Sequence, residues 1–197
     1  MTAVTAVLRA PDGTALPARA HRWLGPLTVE DEAVLARVVS PVLDVGCGPG
    51  RHVLALAERG AVALGIDITP AAVELARRRG APVLARSVFD RVPGAGRWST
   101  ALLLDGNLGI GGHPAALLER VGALLKPGGV VLVELEPPGT APAAELVRFD
   151  VGGVEGPWFA WAEVGADELS APAAAAGLAV EDVWPGAERW FGALRRA

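Results

Sequence analysis

The stretch that decides the fold is Val42-Leu43-Asp44-Val45-Gly46-Cys47-Gly48-Pro49-Gly50. Its four mostly apolar residues predict a buried strand, and the three alternating glycines predict a tight turn into a helix that begins at Arg51. Glycine has no Cβ, so the backbone of such a turn can approach a ligand closely. Asp67 lies 21 residues after Gly46, at the predicted end of the next strand, where a carboxylate can accept hydrogen bonds from ribose hydroxyls. The pattern therefore predicts a site for a nucleoside-containing cofactor.

The same stretch discriminates among nucleotide cofactors. A dinucleotide fingerprint needs its third glycine at the position of Arg51, and Asp44 would place a negative charge beside a pyrophosphate. A Walker-type phosphate loop is excluded because no Gly-Lys-Ser/Thr follows the turn. We therefore expect a cationic ligand near Asp44, and a dinucleotide reductase is the weakest of the alternatives.

Outward from this stretch, apolar strands alternate with helices, which predicts an α/β fold with a parallel sheet covered on both faces. The predicted strands are 42–45, 61–67, 81–86, 100–105 and 129–136, and the predicted helices are 28–39, 51–59, 70–80 and 114–126. A β-hairpin (146–151 and 157–164, within an insert at 145–164), a helix (167–176) and two strands (178–184 and 188–194) complete the prediction. Residues 1–26 are expected to form either a short hairpin or a loose arm that acts as a lid. We expect a single domain over residues 1–197.

Composition excludes several function classes. The chain has 197 residues, 51% of them apolar, which suits one buried core. Eighteen basic and 22 acidic residues give a net charge of −4, which argues against a nucleic-acid partner. The sequence contains no long apolar run, no secretory signal, no metal-ligand spacing and one cysteine, Cys47. We therefore expect a cytoplasmic protein with neither a membrane span nor a metal; the oligomeric state is not predicted.

Three segments together resemble the class I S-adenosylmethionine-dependent methyltransferases. Residues 44–50 resemble their motif I, Gly65-Ile66-Asp67-Ile68 their ribose-binding strand end, and Leu125-Lys126-Pro127-Gly128-Gly129 the turn before their fifth strand. The resemblance covers residues 40–136, about half of the chain. It implies a Rossmann-like class I methyltransferase fold: a mainly parallel, seven-stranded sheet with an antiparallel last strand, here with a β-hairpin added before the last helix. It also implies S-adenosylmethionine as the cofactor.

The resemblance implies a cofactor-binding role at each position that matches a family motif. Asp44 would support the glycine loop and the cofactor's amino group, Asp67 would bind the ribose, and Ile68 would lie against the adenine. Ser87 stands where the family often has an acidic residue for the adenine amino group, and Asp90 is the nearby carboxylate able to compensate. The implied set is Asp44, Gly46, Cys47, Gly48, Gly50, Asp67, Ile68, Ser87, Val88 and Asp105, the last beside the reacting methyl.

The acceptor class follows by elimination. Methyltransferases of nucleic-acid amino groups commonly have Asp/Asn-Pro-Pro-aromatic after the fourth strand, whereas this chain has Asp105-Gly106-Asn107-Leu108. A small-molecule methyl acceptor remains, and the alternative is a non-catalytic S-adenosylmethionine-binding domain that acts as a regulator or partner. His113 is either the general base of the reaction or the cap of the helix that begins at Pro114.

Aromatic residues of the predicted hairpin indicate where the acceptor lies. Strand alternation places Phe159 and Trp161 on one face and Trp158 on the other. We expect either Trp158 or the Phe159/Trp161 pair to line a cavity open to the cofactor's methyl, together with three further residues: Trp23, Asn107 and His113. The alternative is that these rings only cover the edge of the hydrophobic sheet.

Overall fold

A computed structural model describes residues 6–16, 20–151 and 153–197 of the chain. In chain order the strands are β1 (Ala6–Arg9), β2 (Ala15–Leu16), β3 (Val42–Val45), β4 (Ala63–Asp67), β5 (Val83–Ala85), β6 (Trp98–Leu103), β7 (Leu125–Leu135), β8 (Ala143–Val151), β9 (Val154–Glu155), β10 (Phe159–Glu163), β11 (Leu178–Pro185) and β12 (Trp190–Arg196). The helices are α1 (Ala20–Leu24), α2 (Val29–Leu35), α3 (Arg51–Glu58), α4 (Pro70–Arg78), α5 (Pro114–Leu124) and α6 (Ser170–Ala175), with a 3₁₀ turn at Asn107–Gly109.

The main sheet has seven strands in the order β11-β12-β7-β6-β3-β4-β5. Strands β3 to β7 pair in parallel, whereas β12 is antiparallel to both of its neighbours. Strand β6 is buried along its whole length, because hydrophobic clusters cover both faces of the sheet. The predicted fold class, including the antiparallel last strand, is confirmed.

Most predicted element boundaries are correct to within about two residues, but two helices are shorter than expected. Helix α2 ends at Leu35 instead of residue 39, although its start is as predicted: Thr28 and Asp31 form a capping box, in which each side chain accepts the other's backbone N–H. Helix α6 begins at Ser170 instead of residue 167, since turns occupy the preceding residues. The periodicity of apolar residues does not distinguish a helix from such flanking turns.

A second sheet joins the two ends of the chain. The predicted hairpin is present, with β8 and β10 antiparallel and Phe159 opposite Val147. Strand β8 also pairs along its other edge with β1, so that Leu8 lies opposite Phe149, and β1 in turn pairs with β2. The hairpin expected within residues 1–26 is therefore confirmed, and the loose arm is wrong for residues 6–16. Residues 1–5 and 17–19 lie outside the described residues, and the lid role stays a prediction.

Helices in the described part of the chain are all too short or too polar to cross a membrane.

Candidate functional site

The glycine loop at residues 46–50 joins β3 to α3 and is held against the end of β4. The backbone N–H groups of Gly46 and Cys47 both donate to the Ile66 carbonyl, at 2.8 and 3.1 Å. Gly46 has φ +71°, and a Cβ there would lie 2.7 Å from Asn107 Nδ2, so the position requires glycine. A Cβ on Gly48, in contrast, would meet nothing within 4 Å. The loop is thus packed on one side and open to a ligand at Gly48.

Asp67 connects this loop to the start of α4. Its Oδ2 accepts the Gly48 N–H at 2.8 Å and its Oδ1 accepts the Thr69 N–H at 2.7 Å. Burial raises the pKa of Asp67, although these backbone hydrogen bonds act in the opposite direction. A carboxylate oxygen can accept more than one hydrogen bond, so Asp67 has capacity left for ribose hydroxyls.

Apolar side chains are exposed beside the ends of β4 and β5. Ile68, which follows β4, is 59% exposed, and Phe89, shortly after β5, is 50% exposed. Val88 is buried, and the hydroxyl of Ser87 accepts the Phe89 N–H at 3.2 Å. Because β4 and β5 are neighbouring parallel strands, these residues lie at one edge of the sheet, where a flat base can be covered.

Cys47 has no chemical role that the geometry supports. Its thiol is buried, and a Cβ at Gly65 would lie 2.6 Å from its sulfur. Burial, together with the charges of Asp44 and Asp67, raises the pKa of the thiol far above its usual range. A neutral, enclosed thiol is a small packing residue of the loop.

Asp44 and His52 form a buried contact behind the glycine loop. Asp44 is 1% exposed, its Oδ2 lies 3.7 Å from His52 Nδ1, and that oxygen accepts no hydrogen bond from the described residues. His52 Nε2 lies 3.4 Å from Asp31 Oδ1. Burial alone would lower the pKa of His52, but the two carboxylates outweigh it and raise that pKa to about 9. His52 is therefore a buried cation at neutral pH.

Asp105, just after β6, is gripped by an arginine that belongs to α3. Arg51 Nη2 donates to both oxygens of Asp105, at 2.7 and 2.9 Å, and Arg51 also binds Asp31 of α2. The Asp105 N–H donates to Glu134 Oε2 at 2.6 Å. Asp105 has φ +58°, which a residue other than glycine adopts only when its surroundings impose it. Both the side chain and the backbone of Asp105 are thus fixed.

Arg189 completes this buried ionic cluster. It donates to Asp31 at 2.6 Å and to Glu134 at 2.5 and 3.0 Å, and Arg22 of α1 reaches Glu134 at 3.4 Å. Burial acts to raise the pKa of Asp31, but hydrogen bonds from its cationic neighbours hold that pKa well below its usual range. The buried ionic cluster consists of Arg22, Asp31, Asp44, Arg51, His52, Asp105, Glu134 and Arg189. Its four carboxylates are matched by four cations.

The Asn107 side chain lies against the glycine loop. Its Nδ2 donates to the carbonyls of Val45 and Gly46, both at 2.9 Å. Its amide nitrogen ties the turn after β6 to the end of β3. The predicted place of Asn107 in the acceptor cavity stays a prediction.

Four aromatic rings follow one another across the inner face of the second sheet. Trp23 meets Phe149 edge to face with ring centroids 5.1 Å apart, Phe149 meets Phe159 at 5.1 Å, and Phe159 meets Trp161 at 5.9 Å. We call these four residues, each only partly buried, the aromatic cluster. Trp158 lies on the opposite face, 42% exposed, with Arg148 over its ring at 4.7 Å. The structure thus brings together Trp23 and the Phe159/Trp161 pair, and separates Trp158 from them.

The aromatic cluster reaches the turn after β6. Trp161 forms a β-bridge with Ile110, and a Cβ on Gly109 would lie 3.0 Å from its ring. At its other end, Trp23 adjoins Arg22, which contacts Glu134. Together with the chain neighbours Arg22 and Trp23 and the turn from Asp105 to Gly109, these contacts connect a ring of residues at the carboxyl ends of β6 and β7: Asp105, Gly109, Trp161, Phe159, Phe149, Trp23, Arg22 and Glu134.

His113 lies away from this ring. Its Nδ1 accepts the Ala116 N–H at 3.2 Å, which confirms that it caps α5. It lines a cavity of about 360 Å³ with Ala144 and Ala162, whose side chains face away from Phe159 and Trp161 along the alternating strands. A base role for His113 stays a prediction.

The comparisons with known proteins fit this geometry. The sequence pattern of a methyltransferase domain matches residues 42–129, from β3 to the turn within β7. The chain is also 33% identical over 141 residues to a trans-aconitate 2-methyltransferase of Paracidovorax citrulli, covering 67% of this chain and 54% of that protein. A second trans-aconitate 2-methyltransferase, from Methylobacterium radiotolerans, is 35% identical over 125 residues, covering 60% of this chain and 45% of that protein.

The chain therefore contains a methyltransferase domain pattern, and its fold is that of the class I S-adenosylmethionine-dependent methyltransferases. It spans about half the length of the curated relatives it matches. A solved structure agrees with this fold: that of an S-adenosylmethionine-dependent methyltransferase from Bacteroides fragilis in complex with S-adenosyl-L-homocysteine. The two share 24% sequence identity with a TM-score of 0.76, and the match covers 98% of this chain and 87% of the other.

Sequence reasoning missed several residues of this candidate site. Phe89 lies between the predicted Val88 and Asp90, and Phe149 lies in the predicted strand 146–151, but only the fold places these two rings beside the other candidate residues. A charged residue within an apolar segment could have indicated part of the buried ionic cluster. Glu134 interrupts the apolar strand β7, and Asp31 is fully buried in the first turn of α2. Within the described ranges, no three His, Cys, Asp or Glu side chains are grouped so as to hold a metal ion.

Proposed function

We propose that this protein transfers the methyl group of S-adenosylmethionine to a small-molecule acceptor. The observation that carries the proposal is the glycine loop, open at Gly48 and hydrogen-bonded to Asp67 at the end of the neighbouring strand. A backbone cradle beside a carboxylate with unused acceptor capacity suits a nucleoside with two ribose hydroxyls. Residues 40–136 are its cofactor-binding core, within one domain over residues 1–197.

The residues around the loop fit the other parts of this cofactor. Exposed Ile68 offers apolar surface to the adenine, with Ser87 and Val88 at the next strand end. One oxygen of the buried Asp44 carboxylate accepts no hydrogen bond from the described residues. Its negative charge would attract the cofactor's ammonium group across the loop that contains Gly46, Cys47, Gly48 and Gly50. Asp105 is fixed beside the methionine end. When bound, the cofactor supplies a methyl group already activated on a sulfonium sulfur.

The chain's own contribution is positioning more than acid–base chemistry. The buried ionic cluster fixes Asp105 and the turn after β6, and Asn107 ties that turn to the glycine loop. Fixed groups at the reacting centre reduce the entropic cost of aligning an acceptor in line with the methyl. The aromatic cluster lies beside the same strand ends and offers apolar surface that would exclude water from a bound acceptor.

The acceptor is a small molecule, as the names of the two curated relatives indicate for those proteins. The net charge of −4 disfavours nucleic acid as a substrate. The buried, free Cys47 is typical of a reducing compartment, and we place the protein in the cytoplasm.

Isothermal titration with S-adenosylmethionine, S-adenosylhomocysteine and NAD tests the cofactor. We expect both S-adenosyl ligands to bind and NAD to give no heat. Tight NAD binding without a response to the other two would contradict the proposal.

Release of S-adenosylhomocysteine with a panel of acceptors then tests turnover. Binding of the cofactor without turnover on any acceptor would favour the non-catalytic alternative. EDTA is expected to leave turnover unchanged.

A further inference from the structure

The aromatic cluster presents more ring surface than packing of the second sheet requires. On its face of that sheet, Val147 is fully buried and Leu8 is 8% exposed, which supplies the sheet with an apolar core. The four rings beside them are each only partly buried, although they touch one another in series. Partly exposed, contiguous aromatic surface is typical of a ligand-binding wall.

The position of this wall connects it to the proposed methyl-transfer site. The ring of contacts around the carboxyl ends of β6 and β7 has aromatic side chains on one side. On the other side it has Asp105 and Glu134, which belong to the buried ionic cluster. An acceptor inside this ring touches aromatic faces while its reacting atom lies next to the turn that carries Asp105 and Asn107.

The three arginines of the buried ionic cluster are already paired. Arg22 contacts Glu134, Arg51 grips Asp105 and Asp31, and Arg189 binds Asp31 and Glu134. A carboxylate of an acceptor would have to break one of these buried pairs to gain a cation, and breaking a buried pair is costly.

The segment that forms the wall is itself acidic. From Glu136 to Glu168 the sequence contains seven acidic residues and one arginine, Arg148, which gives −6 against −4 for the whole chain. Glu145 lies directly opposite Trp161 in the β8–β10 register, so its carboxylate is on the same face as the aromatic cluster. This negative charge repels polycarboxylates, so neutral or cationic molecules are favoured as acceptors.

We propose that the methyl acceptor is a planar aromatic or heteroaromatic molecule without carboxylates, held against the aromatic cluster. The inference rests on the proposed function, because it concerns the acceptor of the same reaction. Stacked or edge-to-face contact with Phe159 and Trp161 selects flat molecules, and the acidic segment rejects anionic ones.

The test uses the full chain saturated with S-adenosylhomocysteine and three probes that share one bicyclic ten-carbon skeleton. These probes are 2-naphthol, its saturated analogue decahydro-2-naphthol, and 6-hydroxy-2-naphthoate. We expect 2-naphthol to bind at least about tenfold more tightly than either of the others by titration calorimetry. The penalty of the carboxylated probe should shrink as salt is added, since screening weakens the repulsion.

Matched variants locate the binding. Phe159→Leu and Trp161→Leu should each weaken 2-naphthol binding by about tenfold, whereas Trp158→Leu, on the opposite face, should leave it within about twofold. All three variants should keep the affinity for S-adenosylhomocysteine, which shows that they fold.

The two proposals fail differently. Absence of S-adenosylhomocysteine binding would overturn the proposed function itself. If that ligand binds, three results would overturn the aromatic acceptor alone: no binding of 2-naphthol, equal or tighter binding of either comparison probe, or equal loss in Trp158→Leu.

Discussion

The proposed cofactor end and the proposed acceptor end of this protein are built over very different distances along the chain. The cofactor end uses β3, β4 and β5, which follow one another within residues 42–85 and end at a common edge. The acceptor end depends on β1 pairing with β8, which joins residues 6–9 to residues 148–151. The difference teaches that a local motif can specify a cofactor site, whereas an acceptor site here needs segments from both ends of the chain.

The buried ionic cluster connects these two ends. It joins α2 and α3 on the cofactor side to Arg22 of α1 and to Arg189 before β12. Changes within the cluster should therefore affect the whole fold, and changes outside it should affect one end at a time.

Loss of Arg189 should have the largest effect. The Arg189→Met variant removes the cation shared by Asp31 and Glu134 and leaves both carboxylates buried, which should cost about 3–5 kcal/mol of unfolding free energy. Urea unfolding followed by circular dichroism measures it. As a control, Arg78→Met in the exposed pair with Glu74 should leave the midpoint unchanged. A wild-type midpoint for Arg189→Met would show that the two ends are not coupled through this cluster.

Deprotonation of His52 should have the second-largest effect on the unfolding free energy. His52 belongs to the part of the buried ionic cluster on the cofactor side. Its pKa is raised from 6.5 to about 9 in the folded protein, so the stability it contributes is complete below about pH 6.5 and is lost as the pH rises through about 9. A shift of this size corresponds to roughly 3 kcal/mol. Unfolding free energy measured from pH 6 to 10 should fall in the wild type and stay flatter in His52→Gln. Parallel curves for the two proteins would contradict the assignment of the charge to His52.

Replacement of Asp67 should affect the cofactor end alone. The Asp67→Ala variant loses the carboxylate that holds Gly48 and is proposed to bind ribose, which should cost about 1–3 kcal/mol, or roughly tenfold to a hundredfold in S-adenosylmethionine affinity. Calorimetry measures the affinity, and Glu74→Ala on exposed α4 is the control. Unchanged affinity would leave Asp67 only the role of holding the turn before α4.

His113 offers a smaller effect that separates a cap from a base. Removal of the cap in His113→Ala should cost about 0.5–2 kcal/mol of stability, whereas His113→Asn keeps a capping oxygen and should cost little. We expect the turnover of the Asn variant to stay close to that of the wild type. A loss of about a hundredfold or more in both variants would identify His113 as the general base.

The smallest effect is expected at the join between β1 and β8. Asp150 accepts from Arg9 Nε at 3.0 Å and from the Gly153 N–H at 2.9 Å, in a partly buried position near the surface. The Asp150→Ala variant should weaken acceptor binding by about twofold to fivefold, consistent with a surface pair worth up to about 1 kcal/mol, and leave cofactor affinity unchanged. An equal change in both affinities would mean that the second sheet also supports the cofactor end.

Sequence reasoning placed the order and type of almost every element of the main sheet correctly. Apolar strands such as β6 and glycine-terminated helices such as α3 and α4 carry their signals within about ten residues. The second sheet was only half predicted. Its two hairpins have local turn signals, but nothing in the sequence indicates that β1 pairs with β8, because pairing between distant strands depends on the folded geometry.

The sequence by itself determined the glycine loop, the position of Asp67 and the strand order that these imply, since each depends on neighbouring residues and on the geometry of a parallel sheet. Only the tertiary structure decided which face of β10 meets the site, that Arg51 grips Asp105, and that Asn107 and His113 hold backbone groups. The physical reason is that hydrogen bonds and ring contacts between distant segments depend on precise angles and on distances of a few ångströms. A linear pattern of residue types does not contain these distances and angles.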